Sequence, residues 1–150
     1  MSGPGWKAED LTGNGSALYP GRWNHDGEHV VYATTTIALA VLETAAHIDV
    51  SGLPIQRYVI EINVPDAIWQ TRKSLTVSRL RSGWDAIPSG HVSRETGTRW
   101  YNQGQQVLLQ VPSVIVPEEP IVLIHAKHPE AGRLKAKSLR PFDYDLLFRR

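Results

Sequence analysis

The stretch from Thr36 to Ile48 consists mostly of apolar and small residues and contains one formally charged side chain, Glu43. Alanine and leucine favour helices, and a threonine can cap the first turn of a helix. The pattern therefore predicts a helix over residues 36–48 with Thr36 as its N-cap. Because apolar residues cover nearly its whole circumference, we expect this helix to lie centrally in the fold. His47 falls one turn after Glu43 on the same face, where it can hydrogen-bond the carboxylate.

Short strands are predicted on both sides of this helix. Residues 30–33 follow the turn dipeptide at 26–27, which predicts a hairpin with residues 22–24 on its other arm. Residues 57–64 alternate between apolar and polar side chains and end at a proline. This alternation predicts a half-buried strand whose inner face carries Tyr58, Ile60, Ile62 and Val64.

The second half of the chain predicts one helix and three strands. The helix covers residues 93–103, with Ser93 as its N-cap and Gly104 at its C-terminal end. Gly97 lowers the helix propensity of this segment. Three apolar segments separated by prolines predict strands at 106–111, 114–116 and 121–124. The aromatic residues of segment 141–145 are expected to pack back onto the body of the protein.

Strands outnumber helices and occur in runs, which is typical of the α+β class with a mixed, mostly antiparallel sheet. The 150 residues fit a single domain, residues 1–150. Its first 20 residues are rich in glycine, so we expect an irregular start.

Composition excludes several classes of function. The formal net charge of +1 provides no basic surface for nucleic acid or for an anionic membrane. The chain has no cysteine, which excludes disulfides, thiolate metal sites and a cysteine nucleophile. No apolar run is long enough to span a bilayer, and the start lacks the features of a signal peptide. We therefore expect a soluble, cytoplasmic protein.

Glu43 is the strongest candidate for chemistry, because burying a carboxylate without a partner is costly. Arg22 is the nearest upstream cation, and its planar guanidinium suits either a carboxylate or a phosphate. If the hairpin packs against the helix, Arg22 reaches Glu43 or an anionic ligand. The alternative is a structural ion pair between the two residues, in a protein that only binds partners.

Tyr32 and Ser113 complete the candidate site. Tyr32 lies in the strand that leads into the helix, where it can stack on a heterocycle or belong to the core. Ser113 follows a buried strand. We expect it to orient a substrate rather than act as a nucleophile, because no Gly-x-Ser-x-Gly motif surrounds it.

Known motifs for metal and nucleotide binding are incomplete or absent in this sequence. His25 and His29 straddle a turn, and His125 and His128 lack a clear third ligand, so no metal site is expected. Walker-type phosphate loops are also absent.

The combination of short motifs is more specific than any one of them. Gly-Arg-Trp-Asn occupies 21–24, Val-Tyr-Ala 31–33, Ala-Val-Leu-Glu-Thr-Ala-Ala-His 40–47, Gly-Trp 83–84, Leu-Gln-Val-Pro-Ser 109–113 and Lys-His-Pro 127–129. Together these motifs resemble the RES domain, over about residues 10–148. That family is named for an arginine, a glutamate and a serine, which by motif match are Arg22, Glu43 and Ser113.

The resemblance implies both a fold and an activity. RES domains are similar to ADP-ribosyltransferases and act as toxins of type II toxin–antitoxin systems, neutralised by an Xre-type helix-turn-helix antitoxin. It implies NAD as the substrate and no metal. In this interpretation Glu43 stabilises a cationic ribose and Arg22 binds the pyrophosphate or braces Glu43. Tyr32 then stacks on nicotinamide, and Ser113 positions the nicotinamide ribose.

Several alternatives stay open at this stage. If water or phosphate attacks the ribose, NAD is depleted by hydrolysis or phosphorolysis, which is the outcome we favour. If a side chain of a target protein attacks, the activity is protein ADP-ribosylation. An inactive interaction module is a further alternative, and a ribonuclease is disfavoured by the balanced charge. A homodimer is suggested by analogy alone.

Overall fold

The computed structural model describes residues 9–46 and 57–148, so His47 and Ile48 lie outside the described residues. The strands are β1 Val30–Thr34, β2 Arg57–Asn63, β3 Lys73–Ser74, β4 Leu108–Pro112, β5 Pro120–His125 and β6 Lys135–Phe142. They form two sheets, with the order β1–β5–β4–β3 in the first and β2–β6 in the second. Among the described strands every pair is antiparallel except β3 with β4, which confirms the α+β class with a mixed, mostly antiparallel sheet.

The described residues also form four α-helices and three 3₁₀ turns. They are α1 Asn14–Leu18, α2 Ile37–Ala45, α3 Asp66–Gln70 and α4 His91–Gln103, with 3₁₀ turns at Val77–Arg79, Ala131–Arg133 and Tyr144–Phe148. Helix α1 lies in the segment that was expected to be irregular, so that expectation is wrong for these five residues. Within the described ranges, none of the helices combines the length and the apolar character needed to cross a bilayer.

Strands β4 and β5 are buried on both faces. Leu109 and Leu123 point into a core cluster that contains Trp23, Trp84 and Trp100. Their neighbours Leu108, Val122 and Ile124 point into a second cluster with Ile68 and Leu134. This burial explains the near-continuous apolar runs, because a strand covered on both sides needs no polar face.

Helix α2 confirms the predicted cap but not the predicted burial. The Oγ1 atom of Thr36 accepts a hydrogen bond from the backbone N–H of Leu39, at 3.2 Å. Leu39 and Val41 are buried, whereas Ile37 is 48% and Leu42 is 42% exposed. The prediction of a central helix enclosed on nearly every side is therefore wrong for the described residues, since α2 packs through one face.

Two predictions for the strands are wrong in their details. A register shift between Val59 and Ile60 interrupts the alternation of β2, so Val59 is buried and Tyr58 is 42% exposed. After the shift the predicted alternation holds, with Glu61 and Asn63 exposed. Residues 114–116 form a bend between β4 and β5 rather than a strand. The tail prediction is confirmed, because Phe142 and Tyr144 are buried in a cluster with Val41 and Val59.

Residues 22–24 do not form the predicted hairpin arm. They lie in a loop without strand pairing before β1. Side-chain hydrogen bonds hold this loop in place instead, and they determine the position of Arg22.

Candidate active site

Ser113 lies immediately after β4 and is completely buried. Its Oγ accepts hydrogen bonds from the backbone N–H groups of Ile115 and Val116, both at 3.1 Å. These two bonds curl the chain into the bend that replaces the predicted strand, because a serine hydroxyl can satisfy nearby backbone donors. The hydroxyl proton is left to be donated elsewhere.

That proton is donated to Glu43. The Oε1 atom of Glu43 lies 2.5 Å from the Oγ of Ser113, a short hydrogen bond between residues 70 positions apart. Glu43 is half-buried on α2. Two members of the candidate site are therefore in direct contact, and the single hydroxyl proton of Ser113 is already donated to the carboxylate. A serine in this position fixes the orientation of Glu43.

Arg22 is anchored by backbone carbonyls. Its Nη1 donates to the carbonyl oxygens of Trp84, at 3.1 Å, and Ala86, at 2.7 Å. Within the described residues its Nε and Nη2 atoms have no hydrogen-bond partner. A guanidinium held through Nη1 alone keeps its Nε–Nη2 edge for bidentate binding of an anion.

Arg22 and Glu43 are electrostatic neighbours but not a salt bridge. The ion pairs of the described ranges, Arg81–Glu95 and Arg133–Glu130, involve other residues. Burial lowers the pKa of Arg22, and the negative charge of Glu43 opposes that effect. The alternative of a structural Arg22–Glu43 ion pair is therefore wrong.

The backbone of the Arg22 loop is fixed against α4. The Oγ of the fully buried Ser93 donates to the carbonyl oxygen of Arg22, at 2.9 Å. Ser93 was predicted to cap the helix, but the N-cap position is Gly90. Trp23 also stacks on Trp84, with ring centroids 6.1 Å apart. Arg22 is therefore held by two parts of the chain. Helix α4 binds its backbone carbonyl, and the loop at residues 84–86 binds its guanidinium.

Asn24 organises the rest of this loop from a fully buried position. Its Nδ2 donates to the carbonyl oxygens of Ser16, at 2.9 Å, and His25, at 3.0 Å. Its Oδ1 accepts from the N–H of Gly21, at 2.9 Å, and from the hydroxyl of Tyr32, at 2.6 Å. A buried amide with its groups paired in this way specifies one loop conformation.

Tyr32 supports the same loop. Its hydroxyl also accepts from the backbone N–H of Trp23, at 3.0 Å. A Cβ atom at Gly21 would lie 2.7 Å from the Tyr32 ring, so a glycine backbone covers part of that ring. Burial raises the pKa of the Tyr32 phenol, which keeps the hydroxyl protonated and able to donate. Stacking of Tyr32 on a ligand stays a prediction.

Replacing Tyr32 by phenylalanine should destabilise the protein through this loop. The change leaves the N–H of Trp23 without its acceptor and removes one donor to Asn24. We expect the free energy of unfolding to fall by about 1–3 kcal/mol, the usual cost of unpaired buried polar groups. Urea unfolding measures this change, with Tyr58→Phe on the exposed side of β2 as the control. Equal stability of the two variants would contradict the role given to Tyr32.

Three positions that fix the site were not identified as functional from the sequence, namely Asn24, Ser93 and Gly97. A Cβ at Gly97 would lie 1.7 Å from the carbonyl oxygen of Trp23, so α4 needs glycine where the loop touches it. The signal in the sequence was a glycine inside a predicted helix, which costs stability and therefore calls for a packing reason.

The histidine pairs are used within the protein. His25 hydrogen-bonds the hydroxyl of Thr98, and His29 hydrogen-bonds the backbone carbonyl of Thr12. The ring of His125 stacks on the ring of Tyr101, with 3.9 Å between the ring centroids. No group of three potential metal ligands occurs in the described part of the chain.

The sequence matches the model of the RES domain over residues 1–146. The chain therefore belongs to the RES domain family, which confirms the resemblance seen in its motifs. It is 45% identical over 140 residues to a protein of Sphingobium sp. called "Prs ADP-ribosylating toxin", covering 93% of this chain and 87% of that protein.

Two further relatives carry the name "Toxin Res". The protein from Pseudomonas putida is 34% identical over 128 residues, with 84% of each chain covered. The protein from Yersinia enterocolitica is 31% identical over 121 residues, with 81% of this chain and 78% of that protein covered.

Proposed function

We propose that this protein is the toxin of a toxin–antitoxin pair and that it cleaves the bond between nicotinamide and ribose in NAD. The observation that supports the proposal most strongly is the buried Ser113 hydroxyl, which orients the Glu43 carboxylate at 2.5 Å. Membership of the RES family and relatives named as toxins support the biological role.

The reaction needs a group that stabilises positive charge. When the bond between C1′ and the nicotinamide nitrogen breaks, both electrons leave with nicotinamide and the ribose becomes oxocarbenium-like. A carboxylate that is already oriented stabilises this charge, or a ribose hydroxyl next to it, without reorganising during the reaction. Glu43 fulfils that role in the proposed mechanism. An incoming oxygen nucleophile then bonds to C1′ and releases its proton.

Arg22 binds the diphosphate in the middle of the substrate. Its guanidinium is anchored through Nη1 and keeps the Nε–Nη2 edge, which can bind the diphosphate of NAD in a bidentate manner. Since Glu43 lies close enough to influence its pKa, the two groups can act on one bound molecule.

The group that accepts the ribose determines the product. Attack by water or phosphate depletes NAD, and attack by a protein side chain gives ADP-ribosylation. We favour depletion as the main activity. Protein ADP-ribosylation is the second candidate, favoured by the name of the Sphingobium relative, "Prs ADP-ribosylating toxin".

Mass spectrometry of the ribose product separates these outcomes. The purified chain is incubated with NAD in buffer, in buffer with phosphate, and with cell extract. Free ADP-ribose indicates hydrolysis, a phosphorylated ADP-ribose indicates phosphorolysis, and a protein that gains the mass of ADP-ribose indicates transfer. NAD that stays intact under all three conditions would refute the proposal.

Ser113→Ala tests the positioning of Glu43. The variant removes the donor to Glu43 and the acceptor of two backbone N–H groups. We expect kcat to fall roughly tenfold, the scale of one lost hydrogen bond to a charged group, with a smaller change in KM. Ser74→Ala, on an exposed position of β3, is the matched control. An unchanged kcat at a temperature where both variants are folded would contradict this role.

A catalytically inactive interaction module is the competing proposal. The structure removes one argument for this proposal, because Arg22 and Glu43 form no ion pair within the described residues. A module of this kind would still bind a partner protein. Calorimetry with millimolar NAD distinguishes the two, because a module would show neither binding nor heat of cleavage.

The partner in our proposal is an Xre-type, helix-turn-helix antitoxin that covers Arg22 and Glu43. A carboxylate on an inserted antitoxin segment would occupy the anion edge of Arg22. Co-expression of that antitoxin should restore growth, and deletion of the inserted segment should abolish the rescue.

A further inference from the structure

The segment at residues 84–87 holds Arg22 through its backbone. The carbonyl oxygens of Trp84 and Ala86 accept from the same Nη1 atom of Arg22, at 3.1 Å and 2.7 Å. Asp85 is the residue between these two carbonyls, so the two hydrogen bonds place its backbone beside the guanidinium. The stacking of Trp84 on Trp23 fixes the segment in this position. A ligand bound to the Nε–Nη2 edge of Arg22 therefore has Asp85 as a near neighbour.

The fold itself does not use the Asp85 carboxylate. Asp85 is exposed, and it has neither a hydrogen-bond partner nor an ion-pair partner among the residues that the structure describes. Burial lowers the pKa of Arg22, and the negative charges of Glu43 and Asp85 oppose that effect. A carboxylate that lies beside an anion-binding arginine without pairing with it keeps its oxygens for hydrogen bonds from a ligand.

The same segment also exposes an apolar side chain. Ile87 is 83% exposed, the largest exposed fraction among the large hydrophobic residues of the described ranges. Sites for small molecules combine apolar surface with a few polar groups that fix the orientation of the ligand. Along the segment the groups are carbonyls that hold Arg22, then a carboxylate, then an aliphatic side chain. The adenosine half of NAD offers the complementary groups in the same order, namely diphosphate, ribose diol and adenine.

We propose that Asp85 binds the adenosine ribose of NAD and makes the site selective for NAD over NADP. This inference rests on the proposed function, because it assigns a further residue to the same substrate. A carboxylate accepts hydrogen bonds from the hydroxyls of an unmodified ribose, the 2′-hydroxyl included. In NADP that hydroxyl carries a phosphate, which removes the donor and brings a second negative group against the carboxylate. Arg22 does not offset this repulsion, since its free edge binds the diphosphate.

The test compares NAD and NADP as substrates of the wild type and of Asp85→Asn. We expect the wild-type kcat/KM to be at least about tenfold higher for NAD, because like charges placed together weaken binding. In Asp85→Asn the KM for NADP should fall and the KM for NAD should rise, so that most of this preference is lost. Asp26→Asn, which neutralises an exposed carboxylate on the Arg22 loop, is the matched control and should keep the preference. An Asp85→Asn protein with the wild-type preference would overturn the inference.

Opposite shifts in the two KM values separate direct contact from an indirect effect. If Asp85 acted only through the charge of Arg22, its neutralisation would shift both KM values in the same direction, because NAD and NADP carry the same diphosphate. Parallel shifts would therefore refute the contact with the ribose. The melting temperature of Asp85→Asn should equal that of the wild type, since Asp85 is exposed and without a partner in the described structure.

Binding measurements separate this inference from the proposed function. Calorimetry with ADP-ribose and with 2′-phospho-ADP-ribose repeats the comparison without a cleavage step. If the wild type cleaves NADP as well as NAD, the role of Asp85 is refuted and the proposed function stands. If the wild type cleaves neither but prefers ADP-ribose in a manner that depends on Asp85, the proposed function fails and the ribose contact stands. If it neither cleaves NAD nor binds ADP-ribose, both are refuted.

Discussion

Replacing Glu43 by glutamine is expected to reduce NAD cleavage by about 10²–10³, the effect of removing one electrostatic group that stabilises a transition state. Glutamine has nearly the shape of glutamate and keeps an oxygen that can accept the hydrogen bond from Ser113. The fold and the binding of NAD should therefore persist. The rate of nicotinamide release under single-turnover conditions measures the effect on the chemical step.

The control for this variant is Glu61→Gln, which neutralises an exposed carboxylate on β2. It should cleave NAD at the wild-type rate. Expression in bacteria gives a second readout, since Glu43→Gln should no longer arrest growth. A Glu43→Gln protein that cleaves NAD as fast as the control would remove Glu43 from the mechanism.

Gly97→Ala is expected to destabilise the protein strongly, although helix propensity predicts the opposite. In an open helix position alanine is better than glycine by about 1 kcal/mol. At Gly97, however, the new Cβ would lie 1.7 Å from the carbonyl oxygen of Trp23, so the helix or the loop must move. We expect a loss of about 3 kcal/mol, the upper part of the usual cost of overpacking, because the backbone fixes both the Cβ and the carbonyl oxygen and neither can rotate away. This corresponds to roughly 10 °C in melting temperature.

Gly15→Ala is the matched control, because a Cβ at this helical glycine meets nothing within 4 Å. It should leave the melting temperature unchanged or raise it. Any folded Gly97→Ala protein should also show weaker NAD binding, since the displaced loop carries Arg22. Stabilisation by Gly97→Ala, as propensity alone predicts, would mean that the loop does not pack against α4 as described.

The parts of the fold that depend on local sequence were predictable. The Thr36 cap, the end of α4 at Gly104 and the buried strands β4 and β5 follow from residue types at fixed spacing. The prediction was wrong where a side chain changed the backbone. Residues 114–116 have the composition of a strand, but the Ser113 hydroxyl captures two of their N–H groups. The register shift in β2 likewise depends on its pairing with β6.

The site was predictable from motifs only in part. Glu43, Arg22 and Ser113 could be named from the resemblance, and the contact between Glu43 and Ser113 agrees with it. The supports of Arg22 could not be named, because they come from residues 62 and 71 positions away. Contacts of this kind depend on packing, which no single-sequence pattern encodes.

The most direct test of the account is to measure nicotinamide and NAD over time in a mixture of the purified wild-type chain and NAD, with and without cell extract. We predict that nicotinamide appears in at least one of the two mixtures, in a one-to-one ratio with the NAD that disappears. If NAD remains intact and no nicotinamide is formed in either mixture, the proposed NAD-cleaving site formed by Glu43, Ser113 and Arg22 is contradicted.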